Sequence, residues 1–276
     1  MKDIDALKAM AAKLRQDTIK MIYNSKSGHP GGSLSAADII SALYFYKMNI
    51  KTEDPKWVDR DRFVLSKGHA APVVFAALVN KGFIPREDLW SFRHGNGSLQ
   101  GTVNIKNPGG DMTVGSLGQY LSVSAGMALA GKMDKKDYKV YVMLGDGELQ
   151  EGQVWEAAMA AAHMRLGNLV GILDNNRVQM CGMTDDVMSI GDIAAKFRAF
   201  GWKVVQIDGH DMQQIVDALD AIPNQPNAQP TMIIADTIKG KGVSYMEGTP
   251  AWHGGVPTKE QYEQAMRELG GEYEIK

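Results

Sequence analysis

Val140-Tyr141-Val142-Met143-Leu144-Gly145-Asp146-Gly147-Glu148-Leu149-Gln150-Glu151-Gly152 opens as an apolar run and turns on Gly-Asp-Gly. Beyond a helical stretch, Glu151–Arg165, a second apolar run, Leu169–Leu173, ends on Asp174-Asn175-Asn176. Each run is too short for an ordinary helix and apolar enough to be a strand buried on both faces. A single intervening helix makes the two strands neighbours or near-neighbours in a parallel sheet. In such sheets ligands bind outside the carboxyl ends of strands, so Asp146 and Asn176 are expected on one edge with their side chains converging.

Further runs at Phe63–Leu65, Val204–Ile207 and Met232–Ala235 extend the strand set, and Met212–Leu219 adds a helix that Asp211 can cap. The alternation predicts an α/β fold, a parallel sheet with helices on both faces. Ile4–Ile22 places apolar residues at helical spacing and ends at Ser27-Gly28-His29-Pro30-Gly31-Gly32. Another helix is expected to start near Ser35, capped by its hydroxyl, and to run through Ile39, Leu43 and Tyr46. No repeat or low-complexity segment is evident. Pro223–Pro230 reads as a loop, and one domain over 1–276 suffices.

Composition narrows the function classes. With 276 residues, 44% of them hydrophobic, the chain can bury a sizeable core. The net charge of −2 arises from 30 basic and 32 acidic residues without a basic stripe, which argues against nucleic acid as a partner. No apolar run approaches the roughly 20 residues of a membrane span. The start, Met1-Lys2-Asp3-Ile4-Asp5, lacks a signal-peptide core, so a cytoplasmic location is expected. The lone Cys181 agrees with a reducing compartment. The 17 methionines are read as core filling.

The two strand ends suit a metal-diphosphate site. Mg²⁺ takes hard oxygen ligands in an octahedral shell, few from protein and the rest from phosphate and water. Asp146 and Asn176 supply such oxygens, and the Val178 carbonyl is a third candidate. Gly147 permits close approach of phosphate, and the helix that follows favours negative charge. Either motif alone is a common turn or loop. Together, with strand, helix and strand between them, they resemble the thiamine diphosphate motif.

Ser27–Gly31, Ser66-Lys67-Gly68-His69-Ala70, Thr113–Gln119 and Gly145–Trp155 resemble the N-terminal portion of transketolase, and the likeness covers nearly the whole chain. It implies the thiamine diphosphate-binding fold, with thiamine diphosphate and Mg²⁺, or another divalent cation such as Ca²⁺, as cofactors. The implied reaction transfers a two-carbon ketol unit from a ketose phosphate, or a modified ketose, to an aldose phosphate. His29, His69 and His253 would be catalytic. His69, Gly115, Ser116, Leu117, Gly147, Asn176 and His253 would line the cofactor, and Asp146, Asn176 and Val178 would hold the metal. Glu151 and Glu156 match acidic positions beside the cofactor, near the dimer seam. The family's pyrimidine-binding and C-terminal domains, with the glutamate that protonates the cofactor's pyrimidine ring, would sit on a partner chain. A heterotetramer of two plus two is the expected assembly.

Two positions depart from the family pattern. Thr102, after Gln100-Gly101, stands where a substrate-facing histidine is usual, and Tyr120 stands where a glycine follows Gly118-Gln119. Both point to a branched, deoxy or sulfonated sugar rather than the common pentose phosphates. His94, His163 and His210 are read as structural. The alternatives are the α subunit of a 2-oxo-acid dehydrogenase, disfavoured by the Gly-His-Pro-Gly-Gly and Lys-Gly-His-Ala motifs, and a non-catalytic cofactor-binding module. Deoxyxylulose-phosphate synthase shares some motifs but is normally one long chain.

Overall fold

The computed structural model describes residues 3–225 and 227–272. Met1, Lys2 and Pro226 of the Pro223–Pro230 connection therefore lie outside the described residues. Five strands form one all-parallel sheet: β1 (Arg62–Leu65), β2 (Val140–Gly145), β3 (Leu169–Asn175), β4 (Lys203–Asp208) and β5 (Thr231–Asp236), in the order β1-β2-β3-β5-β4. All five expected strands are present.

The helices are α1 (Ile4–Ser25), α2 (Pro30–Ser35), α3 (Ala37–Ala42), α4 (Ala71–Lys81) and α5 (Tyr120–Met133). They continue with α6 (Gly152–His163), α7 (Thr184–Met188), α8 (Ile193–Ala199), α9 (Met212–Asp220) and α10 (Lys259–Glu268). Their ends follow local chemistry. Asp3 accepts from the Ala6 amide at 2.9 Å to cap α1, and Asp211 accepts from Gln213 and Gln214 to cap α9.

Period-two alternation along the strands builds two apolar layers. Tyr141 and Met143 of β2 pack into one layer with Leu14, Ile39, Phe75 and Ile215, from α1, α3, α4 and α9. Val142 and Leu144 face the other, with Leu121, Ala158, Phe197 and Trp202 beneath α5, α6 and α8. A third cluster seats α10 on α1, where the Tyr23 and Tyr262 rings stack at 4.2 Å.

One start site differs from expectation. The second helical segment begins at Pro30, whose fixed φ suits a first helical position, so Ser35 closes α2 instead of capping its successor. Its hydroxyl donates to Asp174 Oδ2 at 2.7 Å. The helical path continues through α3 into a π turn over Leu43–Lys47. The methionines divide: Met21, Met143, Met212 and Met266 fill the core, whereas Met133, Met159, Met164, Met180, Met183 and Met188 are exposed.

Phe197 is fully buried, with its ring 5.2 Å from Trp155 and 5.5 Å from Trp202. Phe197→Ala should cost about 3–5 kcal/mol of unfolding free energy in denaturant titrations. Met159→Ala, at an exposed position, should change it by no more than about 0.5 kcal/mol.

Candidate active site

The parallel register brings β1, β2, β3 and β5 to one common edge, with Gly145 beside Asp174 and Asn175 beside Asp236. Under this edge lies a buried ion pair. Lys67, just past β1, bonds Asp174 at the end of β3; the two side chains are 2% and 0% exposed. Asp174 also accepts from Ser35 at 2.7 Å, from Asn176 Nδ2 at 3.1 Å and from the Thr237 hydroxyl. Lys67 donates further to the Gly32 carbonyl at 2.8 Å. Burial opposes ionisation of Asp174, but Lys67 and the hydroxyl donors outweigh it and hold the carboxyl below its usual range.

Asp146 and Asn176 converge as the motif spacing implies. The Arg177 amide donates to Asp146 Oδ2, and the Val178 amide donates to Asn176 Oδ1 at 3.1 Å. Two backbone steps thus lock both side chains to one loop, and the bond from Asn176 Nδ2 to Asp174 fixes the amide's orientation. The Val178 carbonyl accepts from Lys239 Nζ at 2.6 Å. That ammonium is a cation standing on the third expected metal ligand.

Burial first, and the adjacent Asp174 second, push the Asp146 carboxyl up, an electrostatic penalty that a divalent ion offsets. Among the described residues no group of three or more His, Cys, Asp or Glu side chains is arranged to hold a metal ion. One carboxylate, one amide and one carbonyl instead make a hard, incompletely charged set, suited to Mg²⁺ that also binds phosphate. The residues fit the cofactor. Gly147 is followed not directly by α6 but by a 3-10 turn, Gly147–Gln150, and its amide bonds Asp146 Oδ1 at 2.7 Å; α6 starts only at Gly152.

His29, His69 and His253 come together, with ring centroids 5.4 Å (29–69), 5.7 Å (29–253) and 4.9 Å (69–253) apart. Their loops are tied through backbone: Gly255 donates to the Gly28 carbonyl at 3.1 Å and Gly240 to the Gly31 carbonyl at 2.9 Å. Gly31 is required for this approach, because a Cβ there would lie 2.6 Å from the Trp252 carbonyl. Burial, then nearby cations, lowers all three imidazoles. Arg93 and Lys239 act on His29, Lys67 leads at His69, which falls well below its usual value, and Lys239 leads at His253, lowered to about 4. All three are neutral near pH 7. Lys239 Nζ donates to His253 Nδ1 at 2.9 Å, leaving the imidazole proton on Nε2. Burial, and then Lys67, lowers Lys239 itself to about 8.

Gly115, Ser116 and Leu117 form an exposed loop beside Gly68-His69, and a Cβ at Gly115 would meet nothing within 4 Å. Glu151 packs under this loop, since a Cβ at Gly118 would lie 2.5 Å from its own. Glu156 is exposed on α6 and joins neither cluster. Tyr120 opens α5 and is absorbed by the second core layer. Thr102 is half-buried near Arg93, whose guanidinium lies beside Gly101 and donates to Ser27 at 2.7 Å. His210 bonds Asp38 and accepts from the Ile238 amide, each at 2.8 Å, in a structural role.

Sequence reading did not assign Lys67, Asp174, Arg93 or Lys239. Lys239 had a usable signal, because it lies three residues past β5 on the ligand-binding edge. Arg93 had none, because its contacts come from remote loops.

Comparison with known proteins fits this geometry. Residues 6–275 match the family described as the transketolase thiamine diphosphate-binding domain. The chain is 45% identical over 266 residues to one of the subunits of an apulose-4-phosphate transketolase from Phocaeicola vulgatus, covering 96% of this chain and 94% of that protein. It is 42% identical over 264 residues to a 6-deoxy-6-sulfo-D-fructose transketolase subunit from a Clostridium species, covering 95% and 96%. The crystal structure of Campylobacter jejuni transketolase superposes with a TM-score of 0.91 at 32% identity; the match spans 97% of this chain but only 43% of that longer one. The chain therefore belongs to the transketolase family, as a thiamine diphosphate-binding domain.

Proposed function

We propose that this chain is the diphosphate-binding subunit of a two-polypeptide, Mg²⁺-dependent transketolase that acts on a modified ketose phosphate. One observation supports it above others. The Asp146–Asn176–Val178 donor set and the three-histidine cluster share one edge of the sheet, joined by Lys239, which contacts both. Two of the relatives described above are transketolase subunits of nearly the same length, and nothing favours the 2-oxo-acid dehydrogenase or non-catalytic alternatives.

Thiamine diphosphate, when bound, supplies an electron sink for carbon–carbon cleavage beside a carbonyl. In this chain Asp146, Asn176 and the Val178 carbonyl would hold Mg²⁺, or Ca²⁺ in its place, and through it the diphosphate. Gly147 would admit the phosphate oxygens, and Gly115, Ser116 and Leu117 would lie along the cofactor. Neutral His253 presents Nε2–H as a donor, so it can polarise a substrate oxygen without first losing a proton. His29 keeps a buried Nδ1 without a hydrogen-bond partner, and its ring stands in the cluster whose imidazoles would exchange protons with a sugar hydroxyl. Lys239 adds fixed positive charge behind His253, where negative charge develops on the substrate.

The site is half-built. In this reading the glutamate that protonates the cofactor's pyrimidine ring would come from a partner subunit in a two-plus-two assembly. Leu117, Met180, Met183, Val187 and Met188 are exposed apolar side chains, Met183 paired with Val178, and such uncovered groups suit a partner. Glu151 and Glu156 would lie near that seam. A cytoplasmic site of action belongs to the same reading: among the described residues no helix is long and apolar enough to cross a membrane, and Cys181 is an unpaired, exposed thiol. The donor is a branched, deoxy or sulfonated sugar. Two relatives are named for apulose-4-phosphate and 6-deoxy-6-sulfo-D-fructose, and Thr102 replaces a bulky imidazole with a small hydroxyl side chain.

Calorimetric titration of thiamine diphosphate with Mg²⁺ should show tight binding only with the partner present, and Asp146→Ala should weaken it at least about 100-fold, near 2.7 kcal/mol. Tight binding by the mutant chain alone would refute the assignment. In a panel of ketose phosphates, the assembled enzyme should turn over branched or sulfonated sugars at least about tenfold faster than xylulose phosphate, and equal rates would refute the substrate class.

The lowered histidines also set a pH dependence. Each binds its proton more weakly folded than unfolded, so protonation favours unfolding once pH drops below the unfolded value of roughly 6.5. Denaturant midpoints of the cofactor-free chain should therefore fall from pH 7 towards pH 4, and less steeply in His253→Asn.

A further inference from the structure

We propose that Glu148 is a positioning residue that sets the cofactor-lining loop against the metal end of the site. The proposal rests on the thiamine diphosphate reading above. Glu148 follows Asp146 by two residues, on the 3-10 turn that leaves β2, and its side chain points back under the sheet edge, 4% exposed.

Its carboxylate gathers three segments remote from one another in sequence. Oε1 accepts from the Ser66 hydroxyl, just past β1, and from the Gly118 amide at 2.8 Å; Oε2 accepts from the Gly145 amide at 3.1 Å. Ser66 adjoins Lys67 of the buried pair, Gly145 precedes the metal ligand Asp146, and Gly118 ends the loop of Gly115, Ser116 and Leu117.

That loop has little else to hold it. Among the described residues its hydrogen bonds are made at its ends, by the Val114 amide to the Val103 carbonyl at 3.2 Å and by Gly118 to Glu148. Gly118 takes a φ of +82°, with Glu151 filling the space where a side chain would stand. The loop's path is thus fixed at its Gly118 end by a left-handed glycine and one carboxylate oxygen.

Only a carboxylate serves all three donors. In Glu148→Gln one oxygen becomes an NH₂ group. If it faces Gly118, the loop loses its terminal acceptor; if it faces Gly145, the residue before Asp146 loses its own. Either orientation sets two N–H groups against each other inside the protein.

The test uses the full chain with its partner subunit, wild type and Glu148→Gln. Two readouts are needed: calorimetric affinity for thiamine diphosphate at saturating Mg²⁺, and amide hydrogen exchange of the cofactor-free chain. The expected result is affinity about 10- to 100-fold weaker, the range for groups that orient ligands. It comes with exchange at least about tenfold faster in peptides covering 113–119 or 145–146, and unchanged exchange in α1, α9 and β5. Wild-type affinity in the mutant would overturn the proposal, as would faster exchange spread through the whole sheet, which marks a merely structural role. Failure of the wild-type complex to bind thiamine diphosphate would overturn the functional reading as well, and so is distinguishable. Should Glu148→Gln not fold, Ser66→Ala carries the test: severalfold weaker binding is expected, and unaltered binding overturns the proposal.

Discussion

The Lys67–Asp174 pair is the constraint on which the rest of the site depends. Two charges fully removed from water are tolerable only when each is bonded on several sides, and the surroundings supply those bonds from β1, β3, α2 and the segment after β5. Removing either partner would strand the other charge in the interior. The pair therefore fixes the relative positions of four chain segments more tightly than apolar packing would. One of its bonds runs to Asn176, so the same charge that closes the interior also aims the amide proposed to hold the metal.

From this centre the site grows outward in shells of decreasing burial. The donors of Asp146, Asn176 and Val178 sit just above the pair, the three imidazoles beside them, and the exposed Gly115–Leu117 loop at the rim. Lys239 joins the first two shells with one ammonium group. Cations and burial together keep the imidazoles uncharged, which suits groups that must both give and take protons during a reaction.

The sequence was most legible where a physical signal is local. Short aliphatic runs marked the five strands, because a strand covered on both faces needs no polar residue. The Asp146 and Asn176 pairing followed from strand, helix and strand in succession. Ser35 was misplaced because a hydroxyl before a helical stretch looks like a cap whether or not the helix began earlier, and Pro30 moved the start. Glu148 and Arg93 were invisible as interacting groups, since Gly118, Ser66 and Ser27 reach them only after folding. The methionines show the limit of pattern reading: helical spacing places Met159 on its element, but which face stays uncovered depends on what else docks there.

The uncovered thioethers have a consequence for the cell. Met180 and Met188, 67% and 58% exposed, are flexible, oxidisable apolar groups on the segment that follows Asn176 and Val178. Until another surface covers them they invite self-association and attack by peroxide, either of which would leave a sound fold that cannot dock. On the two-polypeptide reading proposed above, a chain of this design would place a premium on balanced synthesis of the two, and an excess of this one would be a burden on quality control as much as a surplus of enzyme.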